Sequence, residues 1–254
     1  MTVVGVLHPG EMGSAVAEAL RGHGETVLWA SAGRSSATAE RAQAAGLEDG
    51  GDVEDVSRRC EILLSICPPH AALDVARAAS GFAGIYVDAN AIAPDTARTV
   101  ATMQPRFVDG GIVGPPPNRP GTTRLYLSGG EAERVAELFA GTNVDARVIA
   151  GEPGAASALK AAYAGWTKGS AALLLTVREL ARAEGVEDAL LEEWRLSLPE
   201  LEERLPGAER SARRKGWRWI GEMEEIAHSM AAQDLPAGFH EAAAEVFRRT
   251  AGDS

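Results

Sequence analysis

The sequence is poor in cysteine, in lysine and in long apolar runs, and each shortage excludes a class of protein. Two cysteines, Cys60 and Cys67, are too few for a disulfide-bonded scaffold and are typical of a reducing compartment. The longest apolar run, SAALLLTV, is too short to span a bilayer, and no basic stretch at the start indicates a signal peptide. The net charge of −11 argues against nucleic acid and anionic membranes as partners. We therefore expect a cytoplasmic globular protein with a small-molecule substrate.

The chain has two parts that differ in hydrophobic pattern. The first part alternates short apolar runs with helical patterns, and it predicts strands at 3–7, 26–30, 61–66 and 84–89 and three more between 106 and 150. The second part is helical throughout, with helices expected at 154–184, 187–197, 200–215, 217–233 and 236–249. Strand–helix alternation favours a doubly wound, mostly parallel Rossmann sheet. We predict an α/β domain at 1–152, followed by an all-α domain at 153–254 that begins with a long helix and serves substrate binding and dimerisation.

The stretch GVLHPGEMG, residues 5–13, follows the first predicted strand and opens a predicted helix. A strand, a tight turn and a helix N-terminus can hold a pyrophosphate, because free N–H groups and the helix dipole converge there. His8 stands where the first glycine of the three-glycine fingerprint is expected, so on the loop alone an ordinary tight turn is an equally good interpretation. The strand and helix around the loop favour a dinucleotide site. The predicted cofactor-binding residues are His8, Pro9, Gly10, Glu11, Met12 and Gly13.

The end of the second strand, WASAGRSS at 29–36, indicates which dinucleotide is bound. NAD sites usually place an acid there for the ribose 2′-hydroxyl, and Ser31 takes that position here. Arg34 and Ser35, just before a helix, suit a 2′-phosphate through charge-assisted hydrogen bonds. A solvated polar loop is the alternative. The missing acid also weakens FAD and S-adenosylmethionine, so NADP(H) is the predicted cofactor.

Five segments together carry a family resemblance. GVLHPGEMG, ICPP, VDANAIAPDTAR, DGGIVGPPPNRPGTTRLYLSGG and GAASALKAAYA look, in that order, like the β-hydroxyacid dehydrogenase superfamily. That group includes 6-phosphogluconate and 3-hydroxyisobutyrate dehydrogenases, with imine reductases as relatives. The resemblance covers residues 1 to about 170. The helical remainder, with YAGWTKGSAALLL and RWIGEMEEIA, resembles a poorly characterised branch of 6-phosphogluconate-dehydrogenase-like proteins.

The resemblance implies where the nicotinamide lies and how the chain assembles. Ligands of open α/β sheets bind at the carboxyl ends of the strands, and the superfamily places its nicotinamide there as well, which in this chain is near Cys67, Pro68 and Asn90. A helix of roughly 30 residues is about 45 Å long, more than one small helical domain covers. We therefore expect a homodimer through the helical domain, with the apolar run 171–177 buried against the partner, as the resemblance also implies.

The resemblance also places the superfamily's catalytic lysine at Lys160, one of three lysines among 25 basic residues. The asparagine expected four residues later is Ala164, and Tyr163 precedes it. Lysine serves as an acid and a base in hydride transfer if burial lowers its pKa from about 10.4, whereas arginine does not. Lys160 lies among alanines, which favours desolvation. The alternative is a lysine whose amine reaches solvent from an amphipathic helix.

A substrate loop is implied by the same resemblance, and here it is altered. The pattern Asp-x-x-x-Ser-Gly-Gly falls on Asp109 to Pro115, with Val113 in place of the serine and Pro115 in place of the last glycine. These changes remove a hydroxyl and a backbone donor that would hold a carboxylate. The predicted substrate-binding residues are Val113, Gly114 and Pro115, and a 3-hydroxy acid is not assured as the substrate.

Three functions remain open from the sequence. The leading one is an NADP(H)-dependent oxidoreductase that transfers a hydride between the nicotinamide and a small hydroxy or carbonyl compound, with Lys160 as general acid and base. The second is imine reduction with Tyr163 as proton donor. The third is an NADP(H)-binding sensor without catalysis. We expect Lys168 at the surface, and because no histidines have metal-ligand spacing we expect no metal site.

Overall fold

A computed structural model describes residues 1–252 of the chain. It contains two compact units, a first unit of Met1–Lys160 and a second unit that begins at Ala161. The helix α7, Ala155–Ala183, starts in the first unit and continues in the second. Over the described range, no helix combines the length and the apolar character needed to cross a membrane.

The first unit is built on one eight-stranded sheet. Its strands are β1 Val3–Val6, β2 Thr26–Trp29, β3 Glu48–Asp49, β4 Ile62–Ser65, β5 Ile85–Asp88, β6 Phe107–Val113, β7 Thr123–Ser128 and β8 Val144–Val148. They lie in the order β3-β2-β1-β4-β5-β6-β7-β8, and every neighbouring pair is parallel except β6 and β7. The predicted mostly parallel sheet is confirmed. The order reverses between β1 and β4, the place where open α/β sheets bind their ligands.

Helices cover both faces of this sheet. They are α1 Glu11–Gly22, α2 Ser36–Ala44, α3 Val53–Arg59, α4 Ala72–Ala78, α5 Pro94–Met103 and α6 Ala132–Leu138. Side chains of one strand alternate between two cores, so Leu64 and Val87 pack in one cluster, and Leu63 and Tyr86 pack in the other. All residues of β4 and β5 are buried, which explains why both strands are uninterrupted apolar runs in the sequence.

The sequence patterns do not predict β3, α3 or α6. The strand β3 has two residues, Glu48 and Asp49, and both are exposed at the edge of the sheet. A strand this short has no apolar alternation that would reveal it. Its pairing with β2 aligns Asp49 with Trp29, the last residue of β2. Asp49 therefore lies close to the residues that follow β2.

The second unit contains the rest of α7 together with α8 Glu187–Ser197, α9 Pro199–Ala231 and α10 Gly238–Gly252. The expectation of two helices at 200–215 and 217–233 is wrong, because α9 runs through Gly216 without a break. A glycine inside a helix costs about 1 kcal/mol relative to alanine. Here Gly216 is buried beside the backbone of Phe247, and Ala212 and Met223 on either side belong to one core, so packing outweighs that cost.

The surface position expected for Lys168 is also wrong. Its side chain is 15% exposed and forms an ion pair with Glu222. Its Nζ lies 5.5 Å from the centre of the Trp219 ring. Trp219 and Glu222 lie three residues apart on α9, so they present an aromatic face and a carboxylate on one side of that helix. This contact between elements is not visible in the sequence around Lys168.

Candidate active site

The loop between β1 and α1 has the backbone of a phosphate-binding turn. Gly10 precedes α1 as its N-cap, and the N–H of Gly10 donates to the His8 carbonyl at 2.9 Å. A Cβ on Gly13 would lie 2.3 Å from that carbonyl, so position 13 requires glycine. A Cβ on Gly10 would meet nothing within 4 Å, and no side chain caps the helix. The first turn of α1, with Glu11 and Met12, therefore presents its N–H groups as an anion site does.

His8 reaches from this loop to Arg34. Its Nε2 accepts a hydrogen bond from Arg34 Nη1 at 2.6 Å, so the ring proton is on Nδ1. Burial, followed by the charge of Arg34, lowers the pKa of His8 to about 4, so the ring is neutral at pH 7. The buried Nδ1 has no hydrogen-bond partner among the described residues.

A second cluster of donors surrounds the start of α2. Ser35 is the N-cap of α2 and accepts from the Thr38 N–H at 3.3 Å. Arg41, further along α2, donates to the Pro9 carbonyl at 3.4 Å and to Thr38 Oγ1 at 3.2 Å. Two arginines, 34 and 41, thus join α2 to the loop around Pro9. Sequence reasoning missed Arg41, although its position six residues after Ser35, between one and two turns into the helix, is a signal for it.

A carboxylate also lies at this end of the sheet, contrary to the expectation from the sequence. Ser31 Oγ donates to Asp49 Oδ1 at 2.5 Å, and the Gly51 N–H donates to the same oxygen at 2.9 Å. These bonds, that from Ser31 foremost, lower the pKa of Asp49. The acid sought at the end of β2 is supplied by the neighbouring strand β3. The hydroxyl hydrogen of Ser31 is therefore directed to Asp49 in this structure.

The loops after β4 and β5 are joined by Asn90. Its Oδ1 accepts from the Cys67 N–H at 2.5 Å, and its Nδ2 donates to Ser65 Oγ at 3.0 Å and to Asp88 Oδ2 at 2.9 Å. Burial raises the pKa of the Cys67 thiol to about 12, so the thiol is neutral. Pro68 follows directly. The structure thus brings together Cys67, Pro68 and Asn90, which the sequence assigned to the nicotinamide edge.

A buried carboxylate on β6 fixes the start of α7. Asp109 Oδ2 accepts the N–H groups of Gly154 and Ser157, each at 2.9 Å, and its Oδ1 accepts Ser157 Oγ at 2.6 Å. Ser128 Oγ on β7 donates to it at 3.2 Å. These bonds satisfy N–H groups that a helix start leaves open. Lys160 lies three residues after Ser157, so its place on the first unit follows from this carboxylate.

The backbone of α7 approaches β6 closely at Gly111. A Cβ on Gly111 would lie 2.8 Å from the Ala156 carbonyl oxygen and 3.0 Å from Lys160 Cβ. Gly111 is two residues beyond Asp109, and Asp109 pairs with Asp88 in the sheet. Asn90 is likewise two residues beyond Asp88. The base of the Lys160 side chain therefore lies at the carboxyl end of β6, the strand next to β5, and Asn90 lies in the loop that follows β5.

The substrate loop predicted at 113–115 begins where β6 ends. Val113 is 2% exposed, so its side chain is part of the interior. Gly114 has a φ of +121°, and a Cβ there would lie 2.1 Å from the Thr122 carbonyl oxygen. Thr123 Oγ1 donates to the Pro115 carbonyl at 2.6 Å. The connection to β7, residues 114–122, is thus held by this bond, and its form requires glycine at position 114.

Tyr163 lies on α7 in the second unit, and 47% of it is exposed. It is three residues after Lys160 along the helix. In the part of the chain that the structure describes, no three His, Cys, Asp or Glu side chains form a group that would hold a metal ion.

Comparison with known proteins shows which proteins share this sequence and this fold. Residues 181–250 match the family described as domain of unknown function DUF1932. An uncharacterised 28.5 kDa protein of Methanothermus fervidus is 32% identical over 163 residues, which is 63% of this chain and 63% of that protein. The structure of the conserved protein MTH1747, described as similar to 3-hydroxyacid dehydrogenases, is 29% identical with a TM-score of 0.74, covering 98% of this chain and 96% of the other. The chain has the fold of the 3-hydroxyacid dehydrogenases.

Enzymes of known activity share this fold at lower identity. The 3-hydroxyisobutyrate dehydrogenase of Salmonella typhimurium has a TM-score of 0.69 at 16% identity, covering 100% of this chain and 95% of the enzyme. A reductive aminase of Aspergillus terreus, solved with NADPH and ethyl-5-oxohexanoate, has a TM-score of 0.61 at 20% identity, with coverages of 100% and 95%. Together with the MTH1747 structure, these two enzymes confirm the resemblance at the level of the fold.

Asp88 accepts hydrogen bonds from Asn90, and its ionisation should make the free energy of unfolding depend on pH. Burial raises its pKa from the ordinary 3.8 to about 7, with a further contribution from Asp109, although two N–H donors of Asn90 oppose the rise. Between pH 3.8 and pH 7 the Asp88 carboxyl therefore holds its proton in the folded protein and loses it in the unfolded protein. The contribution of Asp88 to the free energy of unfolding should be largest below pH 4, where both states are protonated. It should then fall by up to about 1.4 kcal/mol per pH unit and level off above pH 7.

Urea unfolding of the wild type and Asp88→Asn at pH 5, 6, 7 and 8 measures this effect. We expect the stability of the wild type to fall relative to the variant as the pH rises to 7. The difference between the two proteins cancels the contribution of His8, whose lowered pKa acts in the opposite direction. Parallel stability curves would show that Asp88 titrates at an ordinary pH in the folded protein.

Proposed function

We propose that this protein is an NADP(H)-dependent oxidoreductase that interconverts a small hydroxy compound and its carbonyl, with Lys160 as general acid and base. The observation that carries the proposal is the fixed position of Lys160 beside Gly111, in the same compact unit as the phosphate loop. A cytoplasmic location is part of the proposal and rests on the sequence.

The residues of the first unit fit a bound dinucleotide phosphate. The first turn of α1 carries no side-chain cap, and the space at Gly10 is open. Arg34 and the start of α2 would hold the 2′-phosphate. NADPH in the solved reductive aminase of the same fold supports this choice of cofactor.

The chemistry assigned to this chain is the movement of one proton. The nicotinamide, when bound, supplies or accepts the hydride. The Lys160 ammonium gives a proton to the carbonyl oxygen in reduction, and its neutral amine takes the hydroxyl proton in oxidation. The hydrogen bonds of Asp109 orient the first turn of α7, and Gly111 admits the base of the Lys160 side chain to the strand. A small-molecule substrate would bind near Gly114 at the end of β6.

Imine reduction is the second candidate. The half-exposed phenol of Tyr163, three residues after Lys160, favours it, as does the fold shared with a reductive aminase. A binding protein without catalysis would need no lysine fixed in this place. The three functions predict reduction of carbonyl compounds, reduction of imines, and no reduction at all. A panel of small ketones, oxo acids and cyclic imines with NADPH therefore distinguishes them.

The first prediction of this proposal concerns cofactor selectivity. Arg34→Ala should weaken NADPH binding at least tenfold and leave NADH binding almost unchanged, because a charge-assisted pair is worth about 1.5–3 kcal/mol. Asp49→Asn should strengthen NADPH binding about two- to fivefold by removing a like charge, again with little effect on NADH. Fluorescence titration of both cofactors measures these constants.

The matched control for Asp49→Asn is Glu54→Gln, which removes a carboxylate that pairs with Arg58 on α3. It should change neither constant by more than about twofold. Equal affinity of the wild type for NADPH and NADH would contradict the NADP(H) assignment. Weaker NADH binding in Asp49→Asn would show that Asp49 holds a ribose hydroxyl instead.

The second prediction concerns catalysis. On a substrate found in the panel, Lys160→Ala should reduce turnover by about 10²- to 10⁴-fold and leave NADPH affinity within a few-fold. Lys160→Arg should be nearly as inactive, because guanidinium does not release its proton near neutral pH. Lys215→Ala, on α9, is the matched lysine control and should retain full activity. If Lys160→Ala keeps more than about a tenth of the rate, Lys160 is not the acid, and Tyr163→Phe tests imine reduction.

A readout without substrate is available because the chain has three lysines. Lysine labelled with ¹³C gives three sets of side-chain signals, which the Lys→Arg variants assign. NADP⁺ should shift the Lys160 signals and leave those of Lys215 in place. If the Lys160 signals do not shift at saturating cofactor, Lys160 does not lie beside the nicotinamide.

We also propose a homodimer formed through the second unit. Trp166, Leu173 and Leu180 are spaced seven residues apart on α7 and are 70%, 64% and 62% exposed. Ala172 and Leu174 of the predicted run are instead buried within one chain. An apolar stripe at this spacing is suited to a second copy of the helix.

Sedimentation at micromolar concentration should therefore give twice the mass of one chain. Leu173→Arg should yield the monomer, since it places a charge in the middle of the stripe. Leu196→Arg, on α8 and 77% exposed in one chain, should leave the dimer intact. A monomeric wild type, or equal behaviour of the two variants, would contradict the assignment of this stripe.

A further inference from the structure

His8 stands in the phosphate loop at a position where glycine is the ordinary residue, and its ring is directed to Arg34. The loop backbone does not require histidine. The turn is closed by the Gly10 N–H and the His8 carbonyl, and the close approach is made at Gly13, so both features depend on main-chain atoms. The imidazole therefore has a role other than shaping the loop.

The contacts of Arg34 show what that role is. A guanidinium has five N–H donors in one plane. In this structure Nη1 donates to His8 Nε2 at 2.6 Å and Nε donates to the Ala30 carbonyl at 3.4 Å. These two contacts engage Nη1 and Nε of the guanidinium. Nη2 is thus the edge that remains for a ligand at the start of α2.

The imidazole of His8 must be neutral for its Nε2 to accept the hydrogen bond from Arg34. Because burial and the charge of Arg34 lower the pKa of His8 to about 4, its Nε2 has a free lone pair throughout the neutral range. Two further charged side chains lie at the loop, Glu11 in the first turn of α1 and Arg41, which donates to the Pro9 carbonyl. Asp49 is held by Ser31 and Gly51. The contact to Arg34 is therefore available to His8 at physiological pH.

We infer that His8 is a positioning residue that orients Arg34 for the 2′-phosphate and so sets the preference for NADPH over NADH. This inference rests on the proposed function, since it takes NADP(H) as the ligand. It predicts that the side chain of His8 acts on one of the two cofactors. A side chain that merely supported the pyrophosphate loop would affect both cofactors equally, because both carry the pyrophosphate.

The test compares two substitutions at position 8. His8→Leu removes the acceptor, and His8→Gln retains one, since the glutamine Oε1 lies close to the place of the imidazole Nε2. Dissociation constants for NADPH and NADH are measured with the wild type, both variants, Arg34→Ala and the double variant Arg34→Ala with His8→Leu. The quantity of interest is the ratio of the NADH constant to the NADPH constant.

We expect His8→Leu to reduce this ratio about three- to tenfold, and His8→Gln to keep it within about twofold of the wild type. In the double variant the ratio should equal that of Arg34→Ala alone, because His8 acts through Arg34. Circular dichroism and the melting temperature of each variant establish that it is folded.

The outcomes separate this inference from the proposed function. If the wild type binds neither cofactor, the proposed function fails and this inference fails with it. If the wild type prefers NADPH and Arg34→Ala removes the preference, while His8→Leu weakens both cofactors equally or neither, the proposed function stands and the role of His8 is overturned. Additive losses in the double variant would also overturn it, because His8 would then act independently of Arg34.

Discussion

The buried carboxylate of Asp109 is the interaction on which the candidate site depends. It joins three elements, because it lies on β6, accepts from Ser128 on β7 and accepts three donors from the start of α7. The bare N–H groups at a helix start carry partial positive charge, so an anion there is stabilised by hydrogen bonds and by the helix dipole. Removing it would leave several buried donors without partners. The attachment of the first turn of α7 to the sheet, close to Lys160, depends on this one side chain.

The sequence predicted those features that depend on local chemistry. Apolar runs revealed the buried strands, the glycine loop was found from its flanking strand and helix, and the long helix was found within one residue at each end. The features that it did not reveal depend on contacts between distant segments. The strand β3 exists because Asp49 pairs with β2, α9 continues because Gly216 packs on Phe247, and Lys168 is enclosed by a neighbouring helix.

At the proposed adenosine end of the site, a contact between distant segments was likewise not visible in the sequence. Sequence reasoning looked for an acid along β2 and found Ser31, yet a sheet places the neighbouring strand about 4.8 Å away. Asp49 therefore reaches the position from β3, and Ser31 donates its hydroxyl to it. Arg34 and Arg41 carry positive charges to the same region, and Asp49 carries a negative one. The electrostatic support for the proposed 2′-phosphate site is therefore smaller than Ser31 alone suggested.

The end of β6 constrains the substrate in a different way. The resemblance implies a serine hydroxyl and successive glycine N–H groups around a carboxylate, but Val113 is buried and Pro115 has no N–H. The Pro115 carbonyl accepts the hydroxyl of Thr123, so this contact stabilises the turn. Directly across the β6–β7 pair from Val113 lies Arg124. What this part of the sheet offers to an anion is therefore a nearby charge, whereas the oriented hydroxyl is lost. A guanidinium presents N–H donors in one plane, so an anion bound there would be held by a different hydrogen-bond geometry from that of a serine hydroxyl.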